Sequence, residues 1–480
     1  MESARRTNTT PIKVVFIHLD LGIGGAEQLV LSLAGASQAA GHNVTIVTSR
    51  CDQDHCFSPV KKPFGKLASS VQVCGRFLPA NLAGMATALC SSLRMLYLSF
   101  WTIRTHHDAD ILVMDVLPTS IPFLASLTMA GVLFYCHFPD KLLTRDTVNG
   151  EPTDAGAQRS MLRNLYRSLL DSLEESTMSY SDVLVVNSNF TRSKVQQVFP
   201  SLQQKAMKVL YPALEMDKFA KPIFEISKDA PIVSLNRFER KKNIQLLLQS
   251  YAYLKGKVVS SLPPLIIAGG YDTQNAENVE YLHELKQLAK DLNIHVTFKT
   301  SVSDDERSEL MTSCLCLVYT PHLEHFGIVP LEAMYAGRPV VAVNSGGPME
   351  TIVHEKTGYL CEGTPEAFGQ ALLELVQNPK KAMELGKAGH EHVVATFGVK
   401  RFEREWVALV RETSKVGKKR WEINHARYCI FSAILHVIEA GVVLLVVFLL
   451  TQLLRRFGVL RPDAQILGSF RRFLMGTDEL

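Results

Sequence analysis

The chain has 480 residues, too many for one ordinary core and suited to two domains with an appendage. Hydrophobic residues make up 47% and charged residues 20%, a globular balance that excludes the disordered and fibrous classes. The net charge of +4 is small and no basic stripe interleaves with aromatics, which argues against nucleic acid as a partner.

The amino end, MESARRTNTT, is polar and has no signal-peptide apolar core. From residue 13 the pattern is strand–helix alternation. KVVFIHL (13–19) is a continuous apolar run, followed by a Gly-rich turn and a helix from Ala26 to about Ala40. NVTIVTS (43–49), ILVMDV (111–116), VLFYCHF (132–138) and VLVVNS (183–188) repeat the strand signal. Unbroken apolar runs separated by helical stretches predict parallel strands covered on both faces. The segment 85–103 is apolar and helical, but Arg94 within it and Arg104 beside it favour a core or surface helix over a membrane span. After KVLYPAL (208–214) the pattern restarts with IVSLNR (232–237), LIIAGG (265–270), HVTFKT (295–300), CLVYTP (316–321) and VVAVNS (340–345).

These elements predict an α/β chain of two doubly wound Rossmann-like domains, 1–208 and 209–398, with ligands at the carboxyl ends of the strands. A helix and basic linker at 399–427 follow. Residues 428–454 are almost wholly apolar, long enough to span a bilayer but interrupted by His436 and Glu439, and a basic tail completes 455–480. Lys418, Lys419, Arg420 and Arg427 before the apolar run nearly balance Arg455, Arg456 and Arg461 after it, so charge does not orient it. Nine scattered cysteines, with no C-x-x-C pair and no His cluster, fit a reducing compartment and speak against a structural zinc site. Cys314 and Cys316 read as two buried faces of one strand.

Four segments carry chemistry. Gly22-Ile23-Gly24-Gly25-Ala26-Glu27 follows the first strand and opens a helix, where glycines let backbone N–H groups approach a phosphate. Glu27 stands where the last glycine of G-x-G-x-x-G belongs, and a tight turn alone would also account for these residues. Arg237-Phe238-Glu239-Arg240-Lys241-Lys242-Asn243 sets several cations at a strand's carboxyl end, as a diphosphate requires, although a solvated basic turn has the same composition. In Glu324-His325-Phe326-Gly327-Ile328-Val329-Pro330-Leu331-Glu332 two carboxylates eight residues apart flank a helix start and can converge on hydroxyls of one ligand. Ser345-Gly346-Gly347 follows the next strand. Cys136-His137-Phe138-Pro139-Asp140 places a histidine at a strand end, facing the cleft or held structurally.

Together, HLDLGIGGAEQLVL, FYCHFPD, LNRFERKKN, AGGYD, EHFGIVPLEAM and AVNSGGPMETI resemble glycosyltransferase family 4 of the GT-B fold. Within it they are similar to the eukaryotic mannosyltransferases that add the second and third mannoses to a dolichol-linked core. The resemblance runs from about residue 13 to 412. It implies a retaining enzyme that takes mannose from GDP-mannose and forms an α-1,3 and then an α-1,6 linkage on Man-GlcNAc2-diphosphate-dolichol. The site would face the cytoplasm at the endoplasmic reticulum membrane. By the same resemblance Gly24 and Gly25 approach the donor diphosphate, Arg237 and Lys242 hold its oxygens, and Glu332 binds the ribose. Glu324, with the amides of Phe326, Gly327 and Ile328, grips mannose and phosphate, and His137 contacts the sugar from the opposite wall. The expected partners are GDP-mannose, the dolichol-linked oligosaccharide, membrane lipid and neighbouring mannosyltransferases. No cofactor and no metal are expected, since no Asp-x-Asp stands in a suitable context. Two readings remain beside this one: a family 4 transferase with another nucleotide-sugar donor, and an inactive membrane scaffold for neighbouring mannosyltransferases.

Overall fold

The computed structural model describes residues 10–81, 87–143, 147–148, 151–152, 161–216, 219, 221–258 and 262–423. The chain divides into two compact units, Met1–Lys418 and Lys419–Leu480. In the first half of the larger unit the elements run β1 (Lys13–Asp20), α1 (Gly25–Ala39), β2 (Asn43–Arg50), β3 (Val71–Val73), α2 (Thr87–Thr105), β4 (Ile111–Asp115), α3 (Ile121–Leu127), β5 (Gly131–Cys136) and α4 (Asp140–Leu143). A hairpin of β6 (Thr147–Val148) and β7 (Glu151–Pro152) precedes α5 (Met161–Ser179), β8 (Val183–Val186), α6 (Asn189–Val198) and β9 (Met207–Val209). The second half holds β10 (Ile232–Leu235), α7 (Ile244–Lys255), β11 (Leu265–Gly269), α8 (Ala276–Asp291), β12 (Val296–Thr300), α9 (Asp304–Ser313) and β13 (Cys316–Tyr319). It closes with α10 (Ile328–Tyr335), β14 (Val340–Val343), α11 (Pro348–Thr351), β15 (Gly358–Cys361), α12 (Pro365–Gln377) and α13 (Pro379–Phe397).

The strands form two parallel sheets, ordered β3-β2-β1-β4-β5-β8-β9 and β12-β11-β10-β13-β14-β15. Both reverse direction at the centre, between β1 and β4 and between β10 and β13. A crevice opens beyond the strand ends at each reversal, which is where a doubly wound sheet binds its ligand. Every apolar run read from the sequence as a strand is one. Five short strands among the described residues escape that reading: β3, β6, β7, β9 and β15, two to four residues long. The run 208–214, where the pattern restarts, gives its first residues to β9 and thus to the first sheet. Cys314 ends α9 instead of lying in a strand, while Cys316 opens β13, and both are fully buried.

α2 packs on the first sheet with Arg94 buried at 2% exposure, held by Asp20 and the Ser49 hydroxyl. That internal ion pair explains how an apolar helix carries an arginine in its middle. A final helix of the larger unit, α14, starts at residue 399 and crosses back to the first sheet. Its Phe402, Trp406, Leu409 and Val410 join the core formed by β1, β4, β5 and α1. Trp406 is fully buried, 6.2 Å from the Phe16 ring, and its indole N–H donates to the Ser37 hydroxyl at 2.8 Å. The second domain is thereby tied to the first twice, through the chain near residue 210 and through α14. Among the described residues no helix is long and apolar enough to cross a membrane, and the run 428–454 lies outside them.

Candidate active site

On the first domain's side, register brings three residues together. Ile17 of β1 pairs with Met114 of β4, so the next residues, His18 and Asp115, stand side by side. Asp115 pairs with Tyr135 of β5, two residues before His137. His18 Nδ1 lies 2.7 Å from Asp115 Oδ1, and His137 Nε2 lies 3.0 Å from Asp115 Oδ2. Burial pushes the Asp115 pKa up, but His18 and His137 outweigh it and bring it down to about 2. Burial lowers the His18 pKa, yet the charge and hydrogen bond of Asp115, with help from Glu27, leave it above the ordinary value. A buried histidine–carboxylate pair therefore sits behind His137, whose side chain is 25% exposed. His137 presents its other nitrogen, Nδ1, because Nε2 is engaged.

Gly24 caps α1 and Gly25 is its first residue. A Cβ on Gly25 would meet nothing within 4 Å, so the backbone there is open to a ligand. Glu27, the departure from the dinucleotide motif, lies in the first turn of α1 with Oε1 4.0 Å from His18 Nε2. It joins the glycine turn to the His18–Asp115–His137 row.

On the second domain's side, the four cations after β10 part company. Arg240–Lys242 form one turn of 3-10 helix, whose three residues per turn aim successive side chains about 120° apart. Arg240 goes out to Glu280 and Glu284 of α8, and Arg237 and Lys241 share Glu239 at 3.1 and 3.0 Å. Lys242 alone turns inward, to an ion pair with Glu324. Thr320, past the end of β13, fixes this turn by donating to the Lys242 carbonyl at 2.7 Å. Arg237 is 63% exposed, so the sequence's pair of phosphate-holding cations becomes one inward lysine and one surface arginine.

Glu324 and Glu332 each have their own cation. Burial pushes the Glu324 carboxyl up, but Lys242 chiefly, with His325 and the Tyr319 hydroxyl, carries its pKa below the ordinary value. Glu332, on α10 and 4% exposed, pairs with Arg307 of α9. There burial wins over Arg307 and lifts its pKa to about 7. The Tyr319 hydroxyl donates to Glu324 at 3.3 Å, and burial with the charges of Glu324 and Glu332 raises its pKa far above normal. Gly327 caps α10 at φ +78° with the Tyr319 ring 3.3 Å from any Cβ, so the helix start of Phe326, Gly327 and Ile328 needs its glycine. Gly346, at φ +66°, underlies the Glu324 loop: a Cβ there would fall 2.5 Å from the Glu324 carbonyl. The Ser345-Gly346-Gly347 turn thus supports the carboxylate loop.

The two walls touch. Phe138 stacks on His325 with centroids 3.6 Å apart, and the Ser188 hydroxyl donates to the His325 carbonyl at 2.7 Å. Burial lowers the His325 pKa to about 4, so this ring is neutral at pH 7. Glu350 of α11 accepts the N–H groups of Asn189 and Phe190 at the start of α6 (2.8 and 2.6 Å) and the Tyr211 hydroxyl (2.8 Å). Reading the sequence missed His18, Asp115, Arg307 and Glu350. A polar residue at the end of an otherwise apolar strand was the available signal for the first two; Arg307 and Glu350 lie in stretches whose partners only folding supplies.

Comparison with known proteins gives the chain a family and a fold. Residues 23–218 match the family described as Glycosyltransferase Family 4, and residues 216–392 that described as Glycosyl transferases group 1. The chain is 39% identical to the alpha-1,3/1,6-mannosyltransferase ALG2 of Homo sapiens over 421 residues, 84% of this chain and 97% of that protein. It is 36% identical to that of Dictyostelium discoideum over 430 residues, 84% and 98% of the two chains. Among solved structures, sucrose-phosphate synthase from Thermosynechococcus elongatus superposes with a TM-score of 0.65 at 20% identity, covering 84% of this chain and 98% of that one. Anabaena Alr3699/HepE in complex with UDP-glucose gives 0.56 at 18% identity, covering 83% and 99%. At such identities the solved structures speak for the fold alone.

Proposed function

The chain belongs to the alpha-1,3/1,6-mannosyltransferase family and has the GT-B fold, and on that premise we propose how its cleft works and on what. It is a mannosyltransferase of N-glycan precursor synthesis. The donor is GDP-mannose and the acceptor Man-GlcNAc2-diphosphate-dolichol, presented at the endoplasmic reticulum membrane with the site toward the cytoplasm. The observation that carries this reading is Lys242, the one of the four cations after β10 that turns inward, poised against Glu324 just ahead of α10.

A diphosphate leaves readily once its charge is neutralised, so Lys242 and the N–H groups of Phe326, Gly327 and Ile328 take the place of a strong acid. In exchanging Glu324 for phosphate oxygens, Lys242 frees that carboxylate to accept sugar hydroxyls. Glu332 takes the ribose hydroxyls, and Arg237 reaches the outer phosphate from the surface. From the other wall, Gly24 and Gly25 meet the diphosphate, and His137 offers Nδ1 to the mannose. The acceptor oxygen bonds to C1 on the face from which GDP departs, the C1–O bond to phosphate breaks, and the hydroxyl proton passes to the leaving phosphate oxygen. The anomeric configuration is retained, first in an α-1,3 and then in an α-1,6 linkage. No metal or cofactor is needed for this charge balance.

The test is transfer of labelled mannose from GDP-mannose to synthetic lipid-linked Man-GlcNAc2 by the membrane-reconstituted protein. Two sequential additions, abolished in Lys242→Ala, are expected. No transfer by folded wild-type protein, with stabilisation by a UDP-sugar instead, would overturn the donor assignment.

A further inference from the structure

Between β2 and β3 lies a turn, Lys61-Lys62-Pro63-Phe64-Gly65-Lys66, that the reaction does not use. It is built, not loose. Val60 and Leu67 on either side are 1% and 2% exposed and belong to the first domain's core. The Gly65 N–H donates to the Lys61 carbonyl at 2.7 Å, Leu67 to Pro59 at 2.8 Å, and Lys62 to the Gln53 side chain at 2.8 Å. A Cβ at Gly65 would fall 2.5 Å from the Pro59 carbonyl, so the turn closes this tightly only on glycine.

At its tip Phe64 is 95% exposed, the highest value for any large apolar side chain among the described residues. Lys61, Lys62 and Lys66 surround it, all exposed and, among the described residues, in no ion pair. A fixed turn that holds an aromatic ring in water amid three cations is unfavourable in solution. At a lipid–water boundary the same group is favourable: the ring enters the acyl margin while the ammoniums meet headgroup phosphates. A folded partner would need an apolar socket ringed by acids, whereas a diffuse anionic surface needs no matching shape.

We propose that the Lys61–Lys66 turn docks the first domain on an anionic bilayer, with Phe64 at the interface and the three lysines on lipid phosphates. This rests on the reading of the acceptor as lipid-linked, and it adds the surface through which the catalytic unit meets the membrane. The chain leading into this turn passes near the glycine turn, since a Cβ on Gly22 would lie 3.9 Å from the His55 ring. A bilayer contact here therefore sets the height of the first domain's wall above the membrane.

The full-length chain with Phe64 replaced by photoreactive benzoylphenylalanine is placed in phosphatidylcholine vesicles with and without phosphatidylserine. Irradiation should add phospholipid mass to the peptide holding residue 64, in higher yield with phosphatidylserine. K61Q/K62Q/K66Q should lower that yield by well over fivefold, since about fivefold is the attraction of a single lysine near an anionic surface. Phe64→Ser should leave transfer to a water-soluble acceptor analogue unchanged and slow transfer to the lipid-linked acceptor by roughly tenfold, the order expected when one interfacial phenyl group is lost. Labelling of a protein, or of no lipid, with an unchanged Tm overturns the proposal. Photolabelling reads docking without any turnover, so lipid labelling in a protein that transfers no mannose sinks the donor reading and leaves the docking surface standing.

Discussion

Replacing Asp115 by asparagine tests whether the buried carboxylate sets the proton on His137. The carboxylate stands within hydrogen-bond distance of His18 Nδ1 (2.7 Å) and His137 Nε2 (3.0 Å) and accepts from both. Asparagine has the same shape but one accepting oxygen and an amide that only donates, so it serves one imidazole as acceptor and must donate to the other. His18 loses the counter-ion that offsets its burial, and burial then shifts it toward the neutral form. His137, the partly exposed partner, is the one free to change tautomer, which turns its cleft-side nitrogen from acceptor to donor. The Asp115 pKa is depressed from 3.8 to about 2, so its stabilisation is present above pH 3.8 and fades as pH falls through 2. That shift corresponds to roughly 2 kcal/mol at neutral pH. The His18 pKa is raised, so its share is full below 6.5 and is lost as pH rises through its folded value. The variant should lose roughly 2–3 kcal/mol in thermal unfolding at neutral pH, less than the ~3–5 kcal/mol of a stranded buried charge, because His18 can shed its proton. Its kcat for mannose transfer should fall about 10- to 100-fold, the worth of one hydrogen bond reversed at the sugar, with the KM for GDP-mannose little moved. Wild-type kcat and an unchanged pH–rate profile in folded Asp115→Asn would refute the assignment of this row to His137.

Glu332, with its pKa lifted to about 7, is half protonated near neutrality, and ribose hydroxyls donate more strongly to its ionised form, which accepts at both oxygens. Donor binding should therefore release a fraction of a proton at pH 7 and tighten as pH rises from 6 to 8, measured by calorimetry in buffers of different ionisation enthalpy; Glu332→Gln should abolish the release. The sign for stability is opposite: the buried carboxyl's contribution is full below 4.5 and lost above about 7, so Glu332→Gln should stabilise the fold at pH 8 relative to wild type. Glu350→Ala strands two backbone N–H groups and the Tyr211 hydroxyl between the domains, and should lower stability by about 2 kcal/mol while raising the donor KM more than it changes kcat. Gly346→Ala forces a Cβ against the Glu324 carbonyl and should cost roughly 1–3 kcal/mol in folding, with donor affinity falling alongside. Trp406→Ala empties a fully buried site under the first sheet and should cost about 3–5 kcal/mol by denaturant unfolding.

The sequence by itself determined the two doubly wound domains, because a strand buried on both faces must be written as an unbroken apolar run, and such runs survive in isolation. It also determined the chemical segments at the strand ends, since Gly327 and Gly346 are demanded by local backbone geometry and Lys242 and Glu324 stand in short motifs. Tertiary structure alone decided which charge meets which. Lys242 and Glu324 are 82 residues apart, His18 and Asp115 97 apart, and each pair forms only when crossover helices return neighbouring strands in register. The same holds for the four cations after β10, equal on paper: one turn of 3-10 helix sends Lys242 inward and Arg240 and Lys241 outward, and Arg237 ahead of it lies on the surface against Glu239. It was likewise the fold that returned α14 to the first domain, because the apolar stripe of 402, 406, 409 and 410 announces a buried face without saying against what. Periodicity is a property of adjacent residues and can be read along the chain. Electrostatic pairing depends on distance through space, and the fold sets that distance.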